Sequence, residues 1–293
     1  MFPILDSREL RRIREAVDGG LCEVEVSLDL GLSKTLVRLS GEGFYVGGRL
    51  VPVSRLREDD DSCYVVVDGV LHKVQFFSEE SKTLYKLVPT SYRPILQFSG
   101  TSMHKMPFVE RIRGERLSGS VLDAGTGLGY TAIAASESAD HVTTIEVDAT
   151  VVEIAKLNPY SRDLFSKGNI KLIVGDIVEE IRKFPDSSFD YVIFDAGTPR
   201  SSGEFFSLEN YRQAFRVLKV GGKLYHYLPK HHVRRGRDFA AEVVSRLKAA
   251  GFTVVEKNVA DSYAVAVKGG RLSKGARILR RPASSGRRRR PLR

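Results

Sequence analysis

Val121-Leu122-Asp123-Ala124-Gly125-Thr126-Gly127-Leu128-Gly129-Tyr130-Thr131 is the stretch whose reading decides the fold. An apolar run ends at Asp123, a glycine loop follows, and a helix-forming run opens near Tyr130. Glycine allows positive φ and lets a ligand come close to the backbone. The helix start adds unsatisfied N–H groups and a partial positive charge. Strand, loop and helix together therefore make a ligand-binding turn.

Outward from this turn, strand-like and helical runs alternate. Strands are expected at 120–124, 141–147, 169–174, 189–194 and 223–227, with helical patterns near 130–138, 149–157, 176–183 and 207–218. Such alternation builds a parallel sheet, because a parallel crossover needs a returning helix. The end of the pattern differs. A helix at 237–250 stops at Gly251, and the runs 252–258 and 263–268 are close enough to pair as an antiparallel hairpin. The expected fold is α/β: a class I methyltransferase Rossmann-like sheet with a terminal antiparallel strand.

Residues 1–99 read differently. A helix is expected at 7–17, capped by Asp6 or Ser7 and stopped by Gly19-Gly20. Short strands follow. The strongest hairpin signal is Val65-Val66-Val67, then Asp68-Gly69, then Val70, since Asp-Gly suits a type I′ turn. The sequence thus divides into a helix and β-rich sandwich or barrel at 1–99, a cofactor-binding domain at 100–270 and a basic tail at 271–293.

Acids mark the carboxyl ends of four consecutive strands, the edge where open α/β sheets bind ligands. They are Asp123, Glu146, Asp176 and Asp195. S-adenosylmethionine carries cationic sulfonium and amino groups, which favour Asp123 nearby. Glu146, followed by Val147, is placed to grip the ribose hydroxyls. Asp176 is placed at the adenine amino group, with Ile177 against the ring. The loop residues Ala124, Gly125, Thr126, Gly127, Gly129, Tyr130 and Thr131 complete the cofactor set. For Asp148 and Asp176, helix capping is the rival reading. A nicotinamide dehydrogenase competes less well: its glycines usually run G-x-G-x-x-G, and here Gly125, Gly127 and Gly129 run G-x-G-x-G.

Charge points to a partner. Residues 271–293 hold ten arginines and lysines and no acid. The other 36 basic residues balance the 36 acidic ones, so the tail holds the entire net charge of +10. A basic tail on a neutral body is either a tethered arm for a polyanion or a solvated end without a partner. The stretch Lys230, His231, His232, Arg234, Arg235 and Arg237 reads as a basic loop at the same sheet edge, able to meet phosphates. No carboxylate accompanies the histidine pair at ligand spacing, so no metal site is expected there. His226 alternates with tyrosines in the fifth strand and reads as a packed histidine more readily than a catalytic one. No apolar run approaches the roughly 20 residues of a membrane span. Cys22 and Cys63 read as two free thiols of a cytoplasmic protein.

The chain also resembles a family of archaeal class I methyltransferases. The matching blocks are 25–33, Tyr85-Lys86-Leu87-Val88-Pro89, Met103-His104-Lys105 and Gly127-Leu128-Gly129-Tyr130-Thr131-Ala132. Further blocks are 155–161, Tyr225-His226-Tyr227 and Arg235-Gly236-Arg237-Asp238. The resemblance implies RNA as substrate, with a link to tRNA guanine-N7 methylation, and it places His104 where it can cover the cofactor. Two positions depart from the family. Gly125 stands where a cysteine is common, and Asp195-Ala196-Gly197-Thr198-Pro199-Arg200 replaces Asp-Pro-Pro-Arg. Asp195 is then expected to orient the substrate, and Arg200, Arg235 and Arg237 to meet phosphate. Guanine N7 has no proton to lose, so that acceptor needs no general base. The alternatives are a small-molecule or protein methyltransferase, an aminopropyltransferase on the same fold, and an RNA-binding protein that binds the cofactor without turnover.

Overall fold

The computed structural model describes residues 2–53, 61–102, 106–195, 203–228 and 238–269. The chain opens with β1 (Ile4–Asp6) and α1 (Ser7–Asp18). Asp6 caps α1, accepting from the Arg8 and Glu9 N–H groups at 2.9 Å. Ten short strands follow: β2 (Glu23–Val26), β3 (Thr35–Ser40), β4 (Gly43–Val46), β5 (Arg49–Pro52), β6 (Cys63–Val67), β7 (Val70–Lys73), β8 (Gln75–Ser78), β9 (Thr83–Val88), β10 (Ile95–Phe98) and β11 (Thr101–Ser102). They form three antiparallel sheets, ordered β1-β6-β7, β2-β3-β4-β5 and β11-β10-β9-β8. The sequence suggests one sandwich or barrel. Among the described residues three small sheets form instead, strands pairing with their sequence neighbours except for β1, which pairs with the distant β6. The Asp68-Gly69 turn has both residues at positive φ (52° and 80°), as a type I′ hairpin needs.

The second half begins with α2 (Met106–Glu115), a helix the sequence reading does not include. Pro107 and Gly114 look like breakers, yet Pro is tolerated in a first turn. Phe108, Val109 and Ile112 bury its inner face. Then come β12 (Ser120–Ala124), α3 (Tyr130–Ser136), β13 (His141–Glu146), α4 (Ala149–Leu157), α5 (Arg162–Ser166), β14 (Ile170–Val174), α6 (Ile177–Lys183), β15 (Phe189–Phe194), α7 (Leu208–Val217), β16 (Leu218–Tyr227), α8 (Phe239–Ala249), β17 (Phe252–Asn258) and β18 (Tyr263–Lys268). A 3₁₀ turn, Pro159–Ser161, joins α4 to α5.

These strands make one seven-stranded sheet, β14-β13-β12-β15-β16-β18-β17. β12 to β16 run parallel, and β18 is antiparallel to both β16 and β17. The expected parallel sheet with its terminal antiparallel strand is therefore present. β16 starts five residues before the expected 223, because Leu218 already pairs with Phe189 across a register shift.

Two apolar layers flank the sheet. α6, α7 and α8 cover one face, through Ile181, Tyr211, Val217, Val243 and Leu247. On the other face, Phe108, Val121, Leu128, Tyr130 and Ile154 share a core with Ile4, Val74, Tyr85, Leu87 and Leu96 from the β-rich part. That shared burial fixes the β-rich part against the sheet, since apolar area removed from water is the main cohesive term. Among the described residues, no helix is long and apolar enough to cross a membrane.

Candidate functional site at the carboxyl edge of the sheet

The glycine loop lies between β12 and α3. Gly125, Gly127 and Gly129 all take positive φ, at 92°, 54° and 79°. A side chain at Gly129 would be strained by its φ, and its Cβ would meet Leu164 Cδ2 at 2.8 Å. The loop is held from the neighbouring strand. The Gly125 and Thr126 N–H groups donate to the Ile145 carbonyl at 3.0 and 3.2 Å, and Gly129 N–H donates to the Thr126 carbonyl at 2.7 Å. So three of the N–H groups that the sequence offers to a ligand maintain the loop's shape instead.

Asp123 is fully buried at the end of β12. Its Oδ2 accepts from the Thr144 hydroxyl at 2.7 Å, and Thr144 also bonds the Thr126 hydroxyl at 2.6 Å. The other oxygen, Oδ1, is buried with no hydrogen-bond partner among the described residues. Burial pushes the Asp123 carboxyl up to about 7, against the pull of the Thr144 and Thr131 hydroxyls. An unpartnered buried carboxylate oxygen calls for a cationic or hydrogen-donating ligand. Thr144 was not read from the sequence. The available signal is a pair of adjacent threonines, Thr143-Thr144, in the strand beside the glycine loop.

Glu146 ends β13 and is almost completely buried. One oxygen accepts from Gly127 N–H at 2.8 Å and the other from Asp148 N–H at 3.2 Å. Burial raises its carboxyl pKa, and the Gly127 and Asp148 N–H groups oppose the rise. The expected ribose acid is thus also the clasp of the glycine loop. Each oxygen has a second lone pair for a ligand hydroxyl. Val147 beside it is exposed, whereas Ile177 is buried.

Capping explains two of the other acids. Asp148 caps α4 through the Thr150 N–H at 2.9 Å. It also accepts from the Ser81 hydroxyl of the β8–β9 turn at 2.7 Å, tying the β-rich part to the cofactor edge. Asp176 caps α6 through the Val178 N–H at 2.8 Å, which occupies Oδ1 only.

Asp195 follows β15, and its N–H donates to the Ala124 carbonyl at 2.9 Å. Burial, and then the charge of Asp123, pushes its carboxyl up to about 8. Tyr227 at the end of β16 is pushed up to about 12 by burial and then by Asp195. Asp123, Asp195 and Tyr227 therefore converge on one edge. Two side chains of the same region are committed elsewhere. The Tyr130 hydroxyl donates to the Pro94 carbonyl at 2.7 Å and accepts from Asn158 Nδ2 at 3.0 Å, so this side chain joins the two halves of the molecule. His226 is sealed between the Tyr211 hydroxyl (2.9 Å) and the Tyr227 carbonyl (2.7 Å), and burial lowers its pKa to about 4. It is a neutral, satisfied core histidine. His104, Arg200, Arg235 and Arg237 lie outside the described residues, as does the tail.

The comparisons agree with this geometry. A family model described as "Methyltransferase domain" matches residues 117–266, just over half of the chain. The uncharacterized protein MJ1233 of Methanocaldococcus jannaschii is 37% identical over 230 residues, covering 74% of this chain and 77% of that protein. A polyamine aminopropyltransferase of Pseudomonas syringae pv. tomato is 32% identical over 107 residues, covering 36% of this chain and 37% of its own. Among solved structures, a spermidine synthase in complex with the transition-state analogue AdoDATO superposes with a TM-score of 0.53 at 19% identity, covering 64% of this chain and 71% of that one. The Thermotoga maritima spermidine synthase gives 0.52 at 18%, covering 69% and 77%. At such identity the structural likeness concerns the fold. The strand order, the clasped glycine loop and the family match lead to one conclusion: the chain belongs to the methyltransferase-domain family and is an S-adenosylmethionine-dependent enzyme.

Proposed function

We propose that this enzyme transfers a methyl group to RNA, with tRNA as the substrate and guanine N7 as the acceptor. The observation that carries the RNA reading is the charge distribution, with all ten excess positive charges in residues 271–293 of an otherwise balanced chain.

The described residues suit the cofactor. Asp123, with its unpartnered Oδ1, would meet the cationic amino or sulfonium group. Glu146 would hold the ribose hydroxyls while still clasping Gly127. Ala124, Gly125, Thr126, Gly127, Gly129 and Thr131 would shape the wall beside it. Val147 and Ile177 would flank the adenine, and the Asp176 oxygen not used in capping would accept from its amino group. When bound, S-adenosylmethionine supplies an electrophilic methyl group on a leaving sulfur that departs neutral. The protein's part is then alignment, which is worth several kcal/mol when the reacting atoms are held in line (about 7 or more in favourable cases). Asp195 would orient the base by accepting from guanine N1–H or N2–H. The neutral, sealed His226 is not at hand as a general base, which suits an acceptor atom that carries no proton. Arg200, Arg235 and Arg237 would contact phosphates, and His104 would cover the cofactor.

A second reading, aminopropyl transfer to a polyamine, draws on the aminopropyltransferase relatives and on the acids gathered at one edge, Asp123 buried and Asp195 half-buried. Co-product analysis separates the two. S-adenosylhomocysteine released only when unmodified tRNA is added supports RNA methylation. Methylthioadenosine released from decarboxylated donor and a polyamine, with no tRNA-dependent turnover, supports the second reading and refutes the first.

A further inference from the structure

A cleft of about 390 Å³ opens where the β-rich part meets the sheet domain, away from the acids described above. Arg8 and Arg12 line it from α1, Thr90 and Tyr92 from the segment before β10, and Tyr160 from the 3₁₀ turn after α4. Spaced four residues apart, Arg8 and Arg12 share one face of α1. Two acids also line the cleft: Asp6 caps α1 and pairs with Arg8, and Glu9 pairs through Oε1 with Lys34 at 2.9 Å while its Oε2 is buried with no hydrogen-bond partner among the described residues. The Arg8 guanidinium also donates to the Thr90 carbonyl at 3.0 Å, anchoring the Tyr92 segment.

The aromatic side of the cleft is built just as firmly. The Arg93 guanidinium lies 5.2 Å from the Tyr92 ring centre, 5.7 Å from that of Tyr130 and 5.8 Å from that of Tyr160. Tyr160 is held by a 3.3 Å hydrogen bond to the Leu30 carbonyl. Tyr92 remains 60% exposed. Exposed aromatic rings beside guanidinium groups are what single-stranded nucleic acid needs: the rings stack on bases and the cations meet phosphates. A polyamine would instead face two arginines.

The chain neighbour of one lining residue contacts the glycine loop. Ser161, next to Tyr160, donates its hydroxyl to the Leu128 carbonyl of that loop at 2.7 Å. We infer that this cleft seats a flanking nucleotide of the RNA substrate, with its base stacked on Tyr92 and its phosphate at Arg12. The inference rests on the RNA reading above and adds a second contact point, on the β-rich part of the chain.

The test is RNA affinity of the full-length chain, measured by anisotropy with an unmodified tRNA transcript across a salt series. S-adenosylmethionine affinity is measured in parallel. Tyr92→Ala should weaken RNA binding roughly tenfold, whereas Tyr92→Phe, which keeps the ring, should stay within about twofold. Arg12→Gln should reduce the salt slope by about one. Cofactor binding should be unchanged in all three. Full RNA affinity and an unchanged salt slope in every variant would refute the cleft while leaving the RNA reading intact. Absence of RNA binding by the unaltered chain would refute both.

Discussion

The carboxyl edge of the large sheet and the cleft at the junction are chemical opposites. At the edge, Asp123 and Glu146 are buried and Asp195 is half-buried, and desolvation raises all three carboxyl pKa values. At the junction, Arg8 and Arg12 stand beside Tyr92 and Tyr160. The first surface suits a small cation enclosed by protein, and the second a polyanion lying across it. Their neighbourhood teaches that one reaction can divide recognition in two. On the proposed reading the donor would be held by groups whose charge depends on pH, and the acceptor by guanidinium groups.

Four outcomes would break or sharpen this contrast. The largest effect should come from Glu146→Ala, which removes the clasp on Gly127 N–H and the proposed ribose contact together. Charge-assisted hydrogen bonds contribute about 1.5–3 kcal/mol each, so donor affinity should fall roughly 100-fold by calorimetry. Unchanged affinity would show that the site lies elsewhere.

The pH dependence comes next. A cation bound at the edge favours ionised carboxylates. Below about 7 the Asp123 carboxyl, which would face the donor's cationic group, is largely protonated in the free protein and must release its proton on binding. Donor affinity should therefore tighten as pH rises from 6 to 8, by at most about tenfold per unit for each proton released, and then level off. RNA affinity at fixed salt should change little over the same range. A donor isotherm that is flat with pH would remove the contrast.

Gly129→Ala tests the loop between the two surfaces. It forces an L side chain to positive φ against Leu164 and should cost about 1–3 kcal/mol of stability, read as a lower midpoint in urea. The smallest effect should come from Tyr211→Phe. It removes the hydroxyl partner of His226 Nε2 and should cost about 1–2 kcal/mol while leaving turnover unchanged. A large loss of turnover with normal stability would give His226 a role beyond packing.

How far the sequence revealed this arrangement differs between the two halves. Four of the five parallel strands, β12 to β15, stand out because an acid or a glycine marks their carboxyl ends, and 120–124 and 189–194 match β12 and β15 residue for residue. The α2 helix escaped because Pro107 and Gly114 mask its apolar face. The β-rich part yielded its hairpin at Asp68-Gly69 but not its division into three sheets, since a break between neighbouring hairpins, and the long-range pairing of β1 with β6, leave no local periodicity. At the site, the acids were legible one by one. Their couplings were not: Glu146 bonds a backbone N–H 19 residues earlier, and Asp148 bonds Ser81, 67 residues away. Tyr130 illustrates the limit of motif reading. It stands inside the glycine motif, yet the packing turns its hydroxyl to Pro94.

The most direct test of the central claim is transfer of labelled methyl from S-adenosylmethionine to unmodified tRNA, followed by digestion and identification of the labelled nucleoside. The account predicts label in RNA, in a methylated guanosine. Confirmed donor binding with no label in any tRNA would contradict it.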